Sequence, residues 1–251
     1  MTKNETLQTI GQLRSTHGNF SMKEVSEDDF QTIISTCTRA ANASARQSYS
    51  IVAIRDRQKI KEFCGYSGSK ALLFCVDFTR IKQVADFLSH ETEVGGVINF
   101  VTGSTDTILA AQTAAICAQS LNIDSLFTNG IHRGDISRVY QLANLPEKYC
   151  FPLIMLVLGY ATEKPEYLKG RYYGPGLVHD EQYHHCTESE LEEMVAYYDD
   201  PKIKMGMIND WKKLGFEHYY DWFFEKWIGK PGELQKSQIF ELLEKSGFLD
   251  W

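Results

Sequence analysis

From Thr107 to Leu121 the chain carries Ile108, Leu109, Ala110, Ala111, Ala114, Ala115, Ile116 and Ala118, which leave a helix hardly any polar face. Such a helix has to be covered on most of its sides. Its alanines also let neighbouring helices approach closely. Two kinds of cover are open: the core of one chain, or an interface between two copies. The preceding Gly103-Ser104-Thr105-Asp106 predicts a polar turn that caps the start of this helix.

The other elements follow from local patterns. Ser26 to Ala41 places Phe30, Ile33, Ile34 and Cys37 at helical spacing, with Ser26 three positions before Asp29 as an N-cap. Tyr49 to Ile54 reads as a strand, and Ile60 and Phe63 mark a short amphipathic helix after it. Ala71 to Val76 and Phe151 to Tyr160 are apolar runs of the kind that form fully buried strands, with Pro152 at the start of the second. Ile81 to Ser89 is helical in pattern, Gly95-Gly96 breaks it, and a further helix ends near Leu142. Residues 161–187 read as loop and residues 188–251 as helical and rich in aromatics.

At 251 residues the chain fits one large α/β domain or a domain with an appended segment, and one main domain is expected. Thirty-three acidic against twenty-six basic residues give a net charge of −7, which argues against a general binder of nucleic acid. No apolar run reaches the length of a membrane span, and Met1-Thr2-Lys3-Asn4-Glu5 leads into a polar segment, so a cytoplasmic protein without a membrane anchor is expected. The six cysteines form no CxxC pair and read as reduced, with Cys75, Cys117 and Cys150 in apolar surroundings.

Several familiar motifs fail. Gly65-Tyr66-Ser67-Gly68-Ser69-Lys70 lacks the spacing with which a P-loop wraps phosphate, and no GxGxxG or GxSxG stands between a strand and a helix. His179, His184, His185 and Cys186 crowd one loop without the HExxH spacing, so no metal site is assigned there.

Leu13-Arg14-Ser15-Thr16-His17, Ala40 to Tyr49, Phe74 to Arg80, Asn129-Gly130-Ile131 and Lys169-Gly170-Arg171 occur in an order and at intervals that resemble the FMN-dependent nitroreductase family from about residue 10 to 175. The resemblance implies an α+β fold with a mixed, mainly antiparallel sheet packed among helices. It also implies an intertwined homodimer in which two subunits share two FMN sites. On this reading residues 1–187 form the flavin-binding domain, and 188–251 are a helical extension packed on it or on the partner. The apolar Thr107 to Leu121 helix would then serve the dimer core.

By the same resemblance Arg14 and Ser15 grip the phosphate and ribityl chain of FMN, with Lys169 and Arg171 as a second basic pair. A guanidinium fork, a further cation and a hydroxyl suit a phosphate. A solvated loop explains Lys169 and Arg171 equally well by sequence. Asn42, Ala43, Ser44 and Gln47 match the loop that approaches the isoalloxazine from the partner subunit. Asn129, Gly130 and Ile131 match a backbone stretch on the opposite side, where glycine permits close approach. Ordinary turns would account for both segments too.

Three positions depart from the pattern: Leu13 stands where Arg or His is common, His17 where Arg or Lys is, and Ala45 where Asn is. His17 would lie near the flavin N1–O2 edge. The activity implied is hydride transfer from NADH or NADPH to FMN, then reduction of a small planar acceptor such as a nitroaromatic or quinone, with ping-pong kinetics. The flavin carries the chemistry, so no side chain is singled out as strictly catalytic. A flavin store or sensor with little turnover is the alternative. For the aromatic run from His218 to Trp227, packing in the core or at the dimer interface is expected, with a lid over the flavin as the other use.

Overall fold

The structure, a computed structural model, describes residues 4–164, 166–228 and 237–249. These fall into two compact units, 4–164 with 237–249, and 166–228. In the larger unit the order is α1 (Glu5–Gly11), α2 (Glu27–Cys37), β1 (Tyr49–Ile54), α3 (Arg57–Cys64), β2 (Lys70–Asp77), α4 (Thr79–Phe87), α5 (Val97–Ser120), β3 (Asp124–Thr128), α6 (Ser137–Ala143) and β4 (Cys150–Gly159). The smaller unit carries α7 (Glu188–Asp199) and α8 (Tyr219–Trp222). The last helix, α9 (Gln238–Lys245), belongs again to the larger unit.

The four strands form one sheet in the order β1-β2-β4-β3, and every neighbouring pair is antiparallel. The expected mixed sheet is thus antiparallel among the described residues, apart from an isolated parallel bridge between Ser15 and Ser125. Period-two alternation divides β2 and β4 between two cores. Leu72, Phe74, Leu156 and Leu158 face α2 and α5, packing with Phe30, Ile33, Cys37 and the alanines of α5. Ala71, Leu73, Cys75, Met155 and Val157 face the other way, onto Ile60, Phe63, Ile131 and Val139. Both strands are buried on both faces, which is why they read as continuous apolar runs.

Most element boundaries follow from local chemistry. Ser26 caps α2 by accepting the Asp29 N–H at 3.0 Å. Gly65 adopts a left-handed conformation at φ +81° and ends α3, so the glycine-rich segment that fails as a P-loop serves as a link to β2. Pro152 sits inside β4, where the register skips Leu153 between the pairs Phe74–Ile154 and Cys75–Pro152. A bulge is where an internal strand tolerates a missing N–H. The Pro152 carbonyl accepts the His132 Nε2–H at 2.8 Å.

The long apolar helix corrects two expectations. It starts at Val97, ten positions before Thr107, and runs straight through Gly103 to Asp106, which form no capping turn. Gly103 is there for close packing: a Cβ on it would lie 2.6 Å from Val76 Cγ1 and 2.9 Å from Phe78 Cε2. Among the described residues α5 has cover on one face. Its inner face, from Gly103 and Asp106 through Ala110, Ala114 and Ala118, is buried, while Ile98, Val101, Ile108 and Leu109 are exposed. Apolar residues all round this helix therefore mean one face for the core and one left open.

The five cysteines Cys37, Cys64, Cys75, Cys117 and Cys150 are buried thiols. Desolvation pushes Cys37 up to about 11, as it does a thiol packed as a small hydrophobe.

Within the smaller unit, Thr187 and Glu190 form a capping box at the start of α7. The aromatic run from His218 divides. Tyr219 is buried, stacked on Tyr198 with ring centroids 5.7 Å apart and edge-on to Trp211 at 5.8 Å. Phe224 and Trp227 remain more than half exposed.

Candidate functional site

The N-terminal motif is tied to the beginning of β3. The Thr16 N–H donates to the Ser125 carbonyl at 2.9 Å, next to the Ser15–Ser125 bridge. Arg14 is half-buried, with its guanidinium 3.8 Å from the carboxylate of Asp124. Asp124 is almost wholly buried, accepts the Ala161 N–H at 2.9 Å, and has the Lys164 ammonium 3.1 Å away. Thr16 is buried, so the alternate residues Ser15 and His17 point outward and are exposed. A hydroxyl, a guanidinium and an imidazole are thereby offered from one short extended segment.

The Asn42–Gln47 loop is held in a costly shape. Ser44 and Ala45 each have φ +54° and Gln47 has φ +48°, in the left-handed region that side chains other than glycine rarely adopt. Many contacts hold it there. The Asn42 Oδ1 accepts the Gln47 N–H at 3.2 Å, and Arg80 Nη2 donates to the Gln47 carbonyl at 2.6 Å. The carboxylate of Asp106, in the buried face of α5, accepts the Ala43 N–H at 2.8 Å and the Ser48 N–H at 3.1 Å. Gln47 Nε2 donates to the Tyr49 hydroxyl at 3.4 Å, and burial pushes that phenol up from its ordinary value. Strain so over-determined is characteristic of binding and active sites.

Asn129, Gly130 and Ile131 follow β3. Asn129 is exposed, whereas Ile131 is fully buried in the core with Ile60 and Phe63. With Ile131 wholly buried and Gly130 buried beside it, Asn129 is the exposed member of the three. The close approach at Gly130 is to the chain itself: a Cβ there would lie 2.4 Å from the Cys64 carbonyl oxygen at the end of α3.

Lys169 and Arg171 belong to the smaller unit. The Lys169 ammonium donates to the Gly206 carbonyl at 2.9 Å, and Arg171 donates to the Gly170 carbonyl at 2.9 Å, with both residues exposed. In the same unit His179 Nδ1 and His184 Nδ1 are 3.2 Å apart. Among the described residues no three His, Cys, Asp or Glu side chains are grouped so as to hold a metal.

Within the larger unit the sheet separates two of the motifs. The Asn42–Gln47 loop leads into β1 at the row Tyr49–Val76–Phe151, while Ser15 joins the opposite edge strand at the row Ser125–Leu158. At sheet spacings these rows lie about 14 Å apart across the strands and about 20 Å along them. Asn129–Ile131 stand between, past the end of β3. Sequence reasoning missed Asp106 and Asp124 as the carboxylates that hold the two motifs. Asp106 looked like a helix cap, and nothing in the local pattern around Asp124 marks it.

The comparisons with known proteins bear on this arrangement. No family model matches the chain. It is 28% identical over 208 residues to the NADPH-flavin oxidoreductase of Vibrio harveyi, covering 78% of this chain and 83% of that one. It is 28% identical over 192 residues to the oxygen-insensitive NADPH nitroreductase of Salmonella typhimurium, covering 72% and 77%. The solved structure of nitroreductase A from Vibrio parahaemolyticus superposes with a TM-score of 0.79 at 21% identity, over 98% of this chain and 99% of that one. The chain is similar in sequence to an NADPH nitroreductase and in fold to nitroreductase A. The α+β fold expected from the motif order is the fold observed, with nitroreductase A as a structural neighbour from end to end. Among the described residues no helix is long and apolar enough to cross a membrane.

Proposed function

We propose that this chain is a cytoplasmic, homodimeric FMN-dependent oxidoreductase that takes reducing equivalents from NADH or NADPH and delivers them to a nitroaromatic, a quinone or a related planar acceptor. The observation that carries the reading is the match, over more than two thirds of both chains, to relatives that are themselves an NADPH-flavin oxidoreductase and an NADPH nitroreductase. The donor set fits FMN in its chemistry. Arg14, Ser15, Lys169 and Arg171 would hold the phosphate and ribityl chain, and His17 would face the pyrimidine edge. By the same resemblance Asn129, Gly130 and Ile131 would border the ring, with Asn129 the exposed member. Asn42, Ala43, Ser44 and Gln47 would reach it from the partner subunit.

The dimer is part of this reading for two physical reasons. The Asn42–Gln47 loop and the Arg14–Ser15 segment sit at opposite edges and opposite ends of one sheet, so a second copy is the simplest way to bring both to one flavin. The open face of α5, with Ile98 76% and Ile108 53% exposed, needs apolar cover. When bound, FMN supplies a two-electron centre that accepts hydride at N5, and the protein orients the donor and acceptor in turn. A single site used in two half-reactions gives ping-pong kinetics.

An absorbance spectrum of the purified protein, before and after anaerobic NADH and NADPH, tests the proposal. Flavin bands that bleach with one or both donors support it and name the donor. Bands that persist with both would favour a flavin store, and no bands even after added FMN would overturn the cofactor assignment.

A further inference from the structure

A carboxylate buried in an apolar helix is costly unless its oxygens are fully bonded. Asp106 is 1% exposed, and each of its oxygens accepts a backbone N–H from the same loop: Oδ1 from Ala43 and Oδ2 from Ser48. These are charge-assisted bonds, stronger than those between neutral groups. The two donors bracket the segment in which Ser44, Ala45 and Gln47 all have positive φ. Ala45 has no side-chain hydrogen bond with which to offset that geometry. The clasp from α5 supplies what the loop itself lacks.

One turn earlier on the same helix, Gly103 makes the clasp reachable. A Cβ at that position would lie 3.2 Å from the Ser48 carbonyl oxygen, so only glycine lets α5 press this closely against the loop's end. Gly103 and Asp106 are thus one device: the first admits the loop, the second grips it.

We propose that Asp106 is a positioning residue for the flavin, its carboxylate holding the Ser44–Gln47 segment, with its three left-handed residues, in the shape in which that loop meets the isoalloxazine. This rests on the reading above that Asn42–Gln47 faces FMN. Asp106 does not itself touch the cofactor. Its effect reaches the ring through the backbone it fixes.

The decisive comparison uses the full-length protein with FMN and reads affinity by flavin fluorescence and ring environment by visible circular dichroism. Asp106→Asn keeps the volume but leaves one oxygen for two donors. It is expected to weaken FMN binding at least tenfold and to alter the visible dichroism of the flavin that remains bound. Adding Ser44→Gly and Ala45→Gly to Asp106→Asn removes the strain the clasp opposes, and is expected to restore a substantial part of the affinity. Ala43→Pro attacks the clasp from the other side, deleting the donor to Oδ1 without touching α5. Its effect and that of Asp106→Asn should be less than additive, as for two ends of one interaction.

An Asp106→Asn protein that melts earlier but binds FMN with unchanged affinity and dichroism would overturn the proposal and leave a purely structural carboxylate. Should Asp106→Asn fail to fold, Ala43→Pro alone decides by the same two readouts. A wild-type protein that takes up no FMN would overturn the flavin reading itself, a result distinct from an insensitive variant.

Discussion

The Arg14 guanidinium lies 3.8 Å from the carboxylate of Asp124, whose side chain is only 4% exposed. The same carboxylate faces the Lys164 ammonium at 3.1 Å and accepts the Ala161 N–H, so one buried anion ties the N-terminal motif to the ends of β3 and β4. Asp124→Asn keeps the shape and removes the charge that two cations face. The expected loss is at most about 1.5–3 kcal/mol, the range for a hydrogen bond to a charged group, tempered by the exposure of Lys164. A urea titration checks it: the midpoint should fall at constant slope.

How much of this was legible beforehand depended on how local each signal was. β1, the cap at Ser26 and the buried runs of β2 and β4 were readable because their causes lie within a few residues. Asp106 was misread for the opposite reason. A polar Gly-Ser-Thr-Asp tetrad looks like a helix start, and the fact that makes it helix interior is a contact with Ser48 and Val76, more than twenty positions away. The left-handed residues 44, 45 and 47 gave no sign either, since none is glycine. Arg14, Ser15 and the Asn42–Gln47 loop were reached only through resemblance, and their separation across the sheet emerges only when strand order is known.

Gly103→Ala sets two effects of opposite sign against each other. In a helix interior the change favours folding by about 1 kcal/mol through intrinsic propensity. Here the new methyl would stand 2.6 Å from Val76 Cγ1 and 3.2 Å from the Ser48 carbonyl oxygen. Overpacking of this kind costs about 1–3 kcal/mol. Backbone cannot yield as a flexible side-chain tip can, so the penalty should win. The variant is expected to unfold at lower denaturant than wild type; a higher midpoint would mean that α5 can move off the loop.

His17 is exposed on the segment that offers Arg14 and Ser15, and on the flavin reading it faces the edge where negative charge grows on reduction. A guanidinium carries a permanent charge and a planar fork of donors. His17→Arg is therefore expected to raise the flavin midpoint potential. For a two-electron couple, a gain of about 1.4 kcal/mol corresponds to roughly 30 mV. Anaerobic titration against a reference dye measures it; an identical potential would remove His17 from the ring edge.

His218 donates through Nδ1 to the Asp199 carboxylate at 2.7 Å, and Asp199 also accepts the Tyr219 N–H at 2.8 Å, which fixes the start of α8 against the end of α7. The hydrogen bond to Asp199, helped by its charge, holds the imidazole above its ordinary value of 6.5. A raised folded value means that this contribution to stability is fully present below pH 6.5. It is lost as pH rises through the folded value. His218 is nearly half exposed, so solvent screening keeps the contribution small, under about 1 kcal/mol. The expected outcome is a melting temperature that declines slightly between pH 6 and 8.5 in wild type, and less so in His218→Gln, which keeps a donor but does not titrate. An NMR titration of the His218 ring gives the direct check: a midpoint at or below 6.5 would mean that the pair with Asp199 does not persist in solution.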